Sequence, residues 1–156
     1  MHGLRDLIGW AEAGRAGYDA VVLSARKSTP KAPTHMSVRE IFEWIKKTPR
    51  QNHAIGKYQI IPSTLRRLVA ALDVDIDARF SPELQDRMAN LLLVEAGLPD
   101  FIRNEISRTE FMNNLAKVWA GLPNASGKSH YHGIAGNKAV ISWLRFEQAM
   151  NVYFPP

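Results

Sequence analysis

Four helix starts are written into the chain between residues 37 and 109, and they confine most of it to short helices joined by loops. Ser37-Val38-Arg39-Glu40 is a capping-box pattern, in which the serine and the glutamate each satisfy a backbone N–H at the helix entrance. Val38, Ile41, Phe42 and Ile45 then recur on one face, and the helix ends before Thr48-Pro49. Pro62 suits a first helical turn, where its missing N–H costs nothing, and Leu65, Leu68, Val69 and Leu72 follow in register. Ser81-Pro82-Glu83 opens a third helix that carries Leu84, Met88, Leu91, Leu92 and Glu95 before Gly97 stops it. Ser107 or Thr109 caps a fourth, with Phe111, Leu115, Val118 and Trp119 on its face. A short helical turn within 98–106 and a last helix over 138–151, with Val140, Trp143, Leu144 and Glu147 in register, are also expected. The β-branched run Ala20-Val21-Val22-Leu23 reads as a short strand or two in a loop-rich early segment. The pattern predicts a mainly α (α+β) protein with a small early β or irregular lobe. Its 156 residues predict one domain, 1–156.

The first helix, residues 4–13, carries the residue of most chemical interest. Leu4, Leu7, Ile8 and Ala11 form an apolar face, and Glu12 follows Ile8 by four on that face. Gly14 and Gly17 then open the chain. A carboxyl on a buried face resists ionisation, so its pKa rises from about 4.3 toward neutrality. A proton donor for glycosidic cleavage has that property. The competing reading places Glu12 at the solvent edge of the stripe. Asp19, seven residues on, is a candidate second carboxylate, of the kind glycosidases pair with their acid. Its competing reading is a hydrogen-bonded turn residue.

Other chemistries find little support. His130 and His132 lie two apart in a glycine-rich loop over 121–137, with no H-E-x-x-H spacing, so no metal is expected. Gly133-Ile134-Ala135-Gly136 lacks the lysine-serine ending of a phosphate-binding loop, no serine has a nucleophile-elbow context, and no cofactor is implied. Cysteine is absent, which excludes disulfides and thiolate metal sites. The net charge of +5 suits a polyanionic partner, yet Lys and Arg read as scattered, with no basic stripe interleaved with aromatics, so a nucleic-acid module is not expected. No apolar run approaches the roughly 20 residues of a membrane span, and no charged-then-apolar leader precedes Asp6 and Glu12. Export would need something outside this chain.

Five short motifs occur in an order that resembles one family. Gly9-Trp10-Ala11-Glu12, Gly17-Tyr18-Asp19, Gly56-Lys57-Tyr58-Gln59, Phe80-Ser81-Pro82 with Gln85-Asp86, and Trp119-Ala120-Gly121-Leu122-Pro123 are similar to stretches of the phage lambda-type lysozymes, lytic transglycosylases of the lysozyme-like superfamily. The link from Glu12 to Tyr18 is shorter than in that family, and segment 124–137 departs from it. The resemblance implies a lysozyme-like fold, with a helical body and an early lobe forming a substrate cleft. It implies cleavage of the β-1,4 bond between N-acetylmuramic acid and N-acetylglucosamine, with Glu12 as acid and base and the muramyl 6-hydroxyl as attacking group. A hydrolase using water and Asp19 is the alternative. Two others are a wall-binding module without turnover and a helical nucleic-acid or scaffold protein. Tyr18, Tyr58 and Gln59 are expected to contact sugar, and Tyr131 is a further candidate from its loop. The expected partner is the peptidoglycan glycan strand, met by a monomer in the periplasm or outside the cell.

Overall fold

The computed structural model describes residues 2–134 and 136–156. The protein is mainly helical, with α1 (His2–Ala13), α2 (Val38–Lys47), α3 (Pro62–Ala71), α4 (Pro82–Glu95), α5 (Leu98–Ile102), α6 (Arg108–Val118) and α7 (Trp143–Tyr153). No helix among the described residues is long and apolar enough to cross a membrane. The chain divides into two compact units. One comprises Met1–Glu12 with Asn90–Pro156, the other Ala13–Ala89.

The second unit contains α2, α3 and the start of α4. The capping box forms as the pattern predicts: Ser37 Oγ accepts from the Glu40 N–H at 3.1 Å, and Glu40 Oε1 accepts from the Ser37 N–H at 3.2 Å. Val38, Ile41 and Trp44 are the buried residues of α2, and Leu65 and Leu68 those of α3. The β-branched run does not build a strand. Val21 makes one isolated bridge to Ile55, and Ile55 another to Ile60. Paired extended chain longer than one bridge is absent among the described residues, because the chain turns back at 22–25 and again at Gly56–Gln59. The early lobe is irregular.

The first unit is built on α1, α5, α6 and α7. Leu4, Ile8, Phe111, Met112, Leu115, Phe146 and Met150 are each fully buried. Burial of seven such side chains supplies the dominant stabilising term, about 1.5–3 kcal/mol for each large one. The last helix begins at Trp143, five residues later than its apolar register suggests. Ser142 Oγ accepts from the Arg145 N–H at 3.2 Å and fixes the start there, whereas Val140 lies outside and donates its N–H to the Gly121 carbonyl. Arg5, buried on α1, donates from Nη1 to Asn90 Oδ1 at 2.7 Å, tying the first helix to the far part of its unit.

Candidate active site

Glu12 stands in the last turn of α1, after the buried Ile8, Gly9 and Ala11. Its residue is partly exposed, but its carboxyl is desolvated, and burial pushes its pKa from 4.5 to about 7. The opposing influence is one hydrogen bond: the Gly121 N–H donates to Glu12 Oε1 at 2.8 Å and lowers the pKa in part. A single neutral donor stabilises the anion less than burial destabilises it. The carboxyl therefore holds its proton to near neutral pH.

Gly121 is built for this approach. The turn that holds it is closed by the Leu122 N–H to the Trp119 carbonyl at 3.1 Å, and Trp119 and Leu122 are both buried. A Cβ at position 121 would lie 2.9 Å from the Ala11 carbonyl oxygen and 3.0 Å from Glu12 Oε1. Only glycine lets its amide reach the carboxyl without displacing backbone. Gly121→Ala is expected to shift the Glu12 carboxyl away from the amide. Loss of the donor removes the lowering influence, so the alkaline limb of the pH–rate profile moves to higher pH. The rate itself falls roughly tenfold, since a small misplacement of an acid is costly. A variant with the wild-type limb and rate would contradict this arrangement.

The other sugar-contact expectations fall in the second unit, apart from Tyr131. Beyond α1 the chain makes a 3-10 turn over Gly14–Asp19, kinked at Gly17 with φ 56° and ψ −131°, a conformation open to glycine and costly for other residues. Tyr18, which follows the kink, shares one acceptor with Tyr58. Tyr18 Oη donates to Asp86 Oδ1 at 3.0 Å and Tyr58 Oη to the same oxygen at 2.6 Å. Their rings meet edge to face at 6.5 Å, and Lys57 Nζ sits 4.8 Å from the Tyr18 ring centre. Burial first, and then the hydrogen bond to Asp86, raise the Tyr18 pKa above its ordinary value. Tyr58 is only 1% exposed, so its ring is part of the lobe core. Tyr18 remains partly exposed.

Asp19 is exposed, and its Oδ1 accepts from the Thr34 N–H at 2.9 Å. That bond links the Gly14–Asp19 turn to the turn over Pro33–His35. Gln59 adopts a left-handed φ of 45° and folds its amide back to donate to the Gly56 carbonyl at 3.0 Å. In the first unit, Tyr131 donates its hydroxyl to the Lys117 carbonyl and stacks edge-on against His130 at 4.9 Å. Among the described residues, no three His, Asp or Glu side chains gather as a metal site.

Two residues that sequence reasoning quoted in a motif, without giving them a role, prove central to the lobe. Gln85 is fully buried. Its Oε1 accepts from the Lys57 N–H at 2.9 Å, and its Nε2 donates to the Tyr18 and Phe80 carbonyls at 3.1 Å each. Asp86 is the shared tyrosine acceptor. The signal was the polar pair Gln85-Asp86 in the otherwise apolar register of α4.

One family model matches residues 6–141, and it describes phage enzymes that degrade the bacterial cell wall. That family is Endolysin, and the chain belongs to it. No curated protein and no solved structure matches the chain.

Proposed function

We propose that this endolysin is a muramidase of lysozyme-like type that breaks the β-1,4 bond between N-acetylmuramic acid and N-acetylglucosamine. It acts as a monomeric single-domain enzyme on murein in the periplasm or outside the cell. The observation that carries the reading is Glu12, a desolvated carboxyl with a pKa near 7 and one backbone donor. In its neutral form it donates a proton to the glycosidic oxygen as the bond to the muramyl C1 breaks. The charge left on that sugar is oxocarbenium-like. The muramyl 6-hydroxyl then attacks C1 and gives its proton to the Glu12 carboxylate. The product is a 1,6-anhydro end, and the acid is restored.

Asp19 bears on the choice of acceptor. Its carboxylate is exposed and holds the Thr34 amide, which supports a structural role and favours the internal hydroxyl over activated water. Tyr18 is the better placed of the two lobe tyrosines to meet sugar, because Tyr58 is buried. Mass spectrometry of muropeptides released from purified sacculi tests the proposal. Products lighter by one water, with 1,6-anhydro ends, are expected. Reducing ends would make the enzyme a hydrolase and return Asp19 to the mechanism. Cleavage confined to peptide bonds, or no release between mildly acidic and neutral pH, would overturn the muramidase reading.

A further inference from the structure

All of the chain's net charge resides in one segment. Residues 24–52 carry seven Lys and Arg against two Asp and Glu, a balance of +5 equal to that of the whole chain; outside it, thirteen cations meet thirteen acids. The cations that read as scattered are gathered by the fold of the second unit. Two ion pairs account for part of the segment, Lys31–Glu40 at 2.8 Å and Arg39–Asp77 at 2.7 Å. Arg26, Lys27, Lys47 and Arg50 line an open groove of about 490 Å³ with no acidic residue in its walls. A second groove, of about 410 Å³, shares Arg26, Arg50 and Gln51 with it.

The walls are held in place. The Gln51 side chain accepts from the Lys27 N–H and donates to the Lys27 carbonyl, both at 2.9 Å, and Trp44 Nε1 donates to that same carbonyl at 3.0 Å. Asn52 Nδ2 donates to Ser24 Oγ at 2.9 Å. Arg50 is fixed at a φ of 63°, a left-handed conformation that costs a non-glycine residue stability. Next to this basic surface stands the turn 22–25, closed by the Ala25 N–H to the Val22 carbonyl at 3.0 Å. At its tip Leu23 is 102% exposed.

We propose that this face is a peripheral docking surface for a bilayer of anionic phospholipid. The cations meet headgroup phosphates, and Leu23 enters the layer just beneath them. Guanidinium groups match phosphate oxygens in a two-pronged geometry. No aromatic side chain lines either groove, so nucleic-acid bases have nothing to stack on. A free anion would use the cations but leave the apolar tip unexplained, whereas a membrane interface uses both. Docking of this kind holds the enzyme at the membrane bordering the wall without a spanning segment.

Co-sedimentation of the full chain with vesicles tests this. Binding to vesicles of phosphatidylcholine with phosphatidylglycerol is expected, with none to phosphatidylcholine alone, and it should weaken steeply as salt rises. The double variant Arg26→Gln with Lys47→Gln should bind about 30-fold more weakly, at about 5-fold per cation. Leu23→Ser should lose on the order of 10-fold. Both should melt at the wild-type temperature and clear purified sacculi as the wild type does, which separates this result from the fate of the Glu12 mechanism. Absence of vesicle binding by the wild type would overturn the proposal. So would binding indifferent to Leu23→Ser, competition by inorganic phosphate at equal phosphate concentration, or tighter binding to a single-stranded oligonucleotide.

Discussion

Glu12→Gln is expected to lose wall clearing and to gain stability at alkaline pH. The two effects share one cause. Glutamine keeps an oxygen to accept the Gly121 N–H but has no proton to give, so the loss of general-acid catalysis should cost at least about 10²–10⁴ in rate. The stability change follows from the raised pKa. In the unfolded chain the carboxyl ionises near 4.5, and in the folded protein it holds its proton to about 7. Between those values the unfolded state gives up the proton first, so the contribution of Glu12 to stability is full below pH 4.5 and declines to a constant penalty above about 7. That difference corresponds to about 3 kcal/mol. The variant should therefore differ little from the wild type at pH 4 and exceed it by up to about 3 kcal/mol at pH 9. Sacculus clearing, with thermal unfolding at both pH values, checks the pair. A variant that keeps a tenth of the wild-type activity would remove Glu12 from the mechanism. One with equal effects on stability at both pH values would mean that the carboxyl is solvated.

Gln85→Leu is expected to be the most damaging single change in the lobe. Leucine fits the apolar surroundings, but it strands the Lys57 N–H and the Tyr18 and Phe80 carbonyls, all three served by the one buried amide. At about 1–3 kcal/mol for each buried polar group left unpaired, a loss of about 3–5 kcal/mol follows once some of the groups find water. Gln85→Glu would also be a lesion, since it preserves the acceptor for Lys57 but turns a second oxygen of a buried carboxyl toward the Tyr18 and Phe80 carbonyls. Urea unfolding of the two variants gives the comparison. A Leu variant within 1 kcal/mol of the wild type would show that the three segments hold their places without the side chain. The same substitution removes the side-chain bond to the Tyr18 carbonyl, next to the hydroxyl that donates to Asp86.

The helices were legible because their signals are local. Ser37, Pro62, Ser81 and Ser107 each mark a start within a residue of where the structure has it, since capping depends on chemistry within a single turn. Failures arose where distant chain decides. The run Ala20–Leu23 has strand composition, yet it forms a single bridge, at Val21, because extended pairing needs a neighbour of matching length. Val140 continues the apolar register of α7, but its N–H is taken by the Gly121 carbonyl and the helix waits for Ser142. In the site, the position of Glu12 on the apolar face was readable from spacing alone. Its partner, 109 residues away, was not. Tyr58 could be read as an aromatic of the motif, but its burial and its bond to Asp86 could not, because periodicity assigns Asp86 only to a helix.

The hydrogen bond between Gly121 and Glu12 has a meaning for the order in which the protein comes into being. The carboxyl proposed to do the chemistry and the amide that donates to it stand 109 residues apart in the chain, and the carboxyl is made first. The helix bearing it belongs to a unit whose other part begins only at Asn90, while Ala13–Ala89 is a continuous stretch that can fold from its own contacts during synthesis. The nascent α1 leaves the ribosome with its glutamate in water and ionised. Desolvation, and with it the proton that wall cleavage needs, arrives after translation has passed the turn at 119–122. On the proposed mechanism, the acid is therefore completed only once the 119–122 turn has packed against α1.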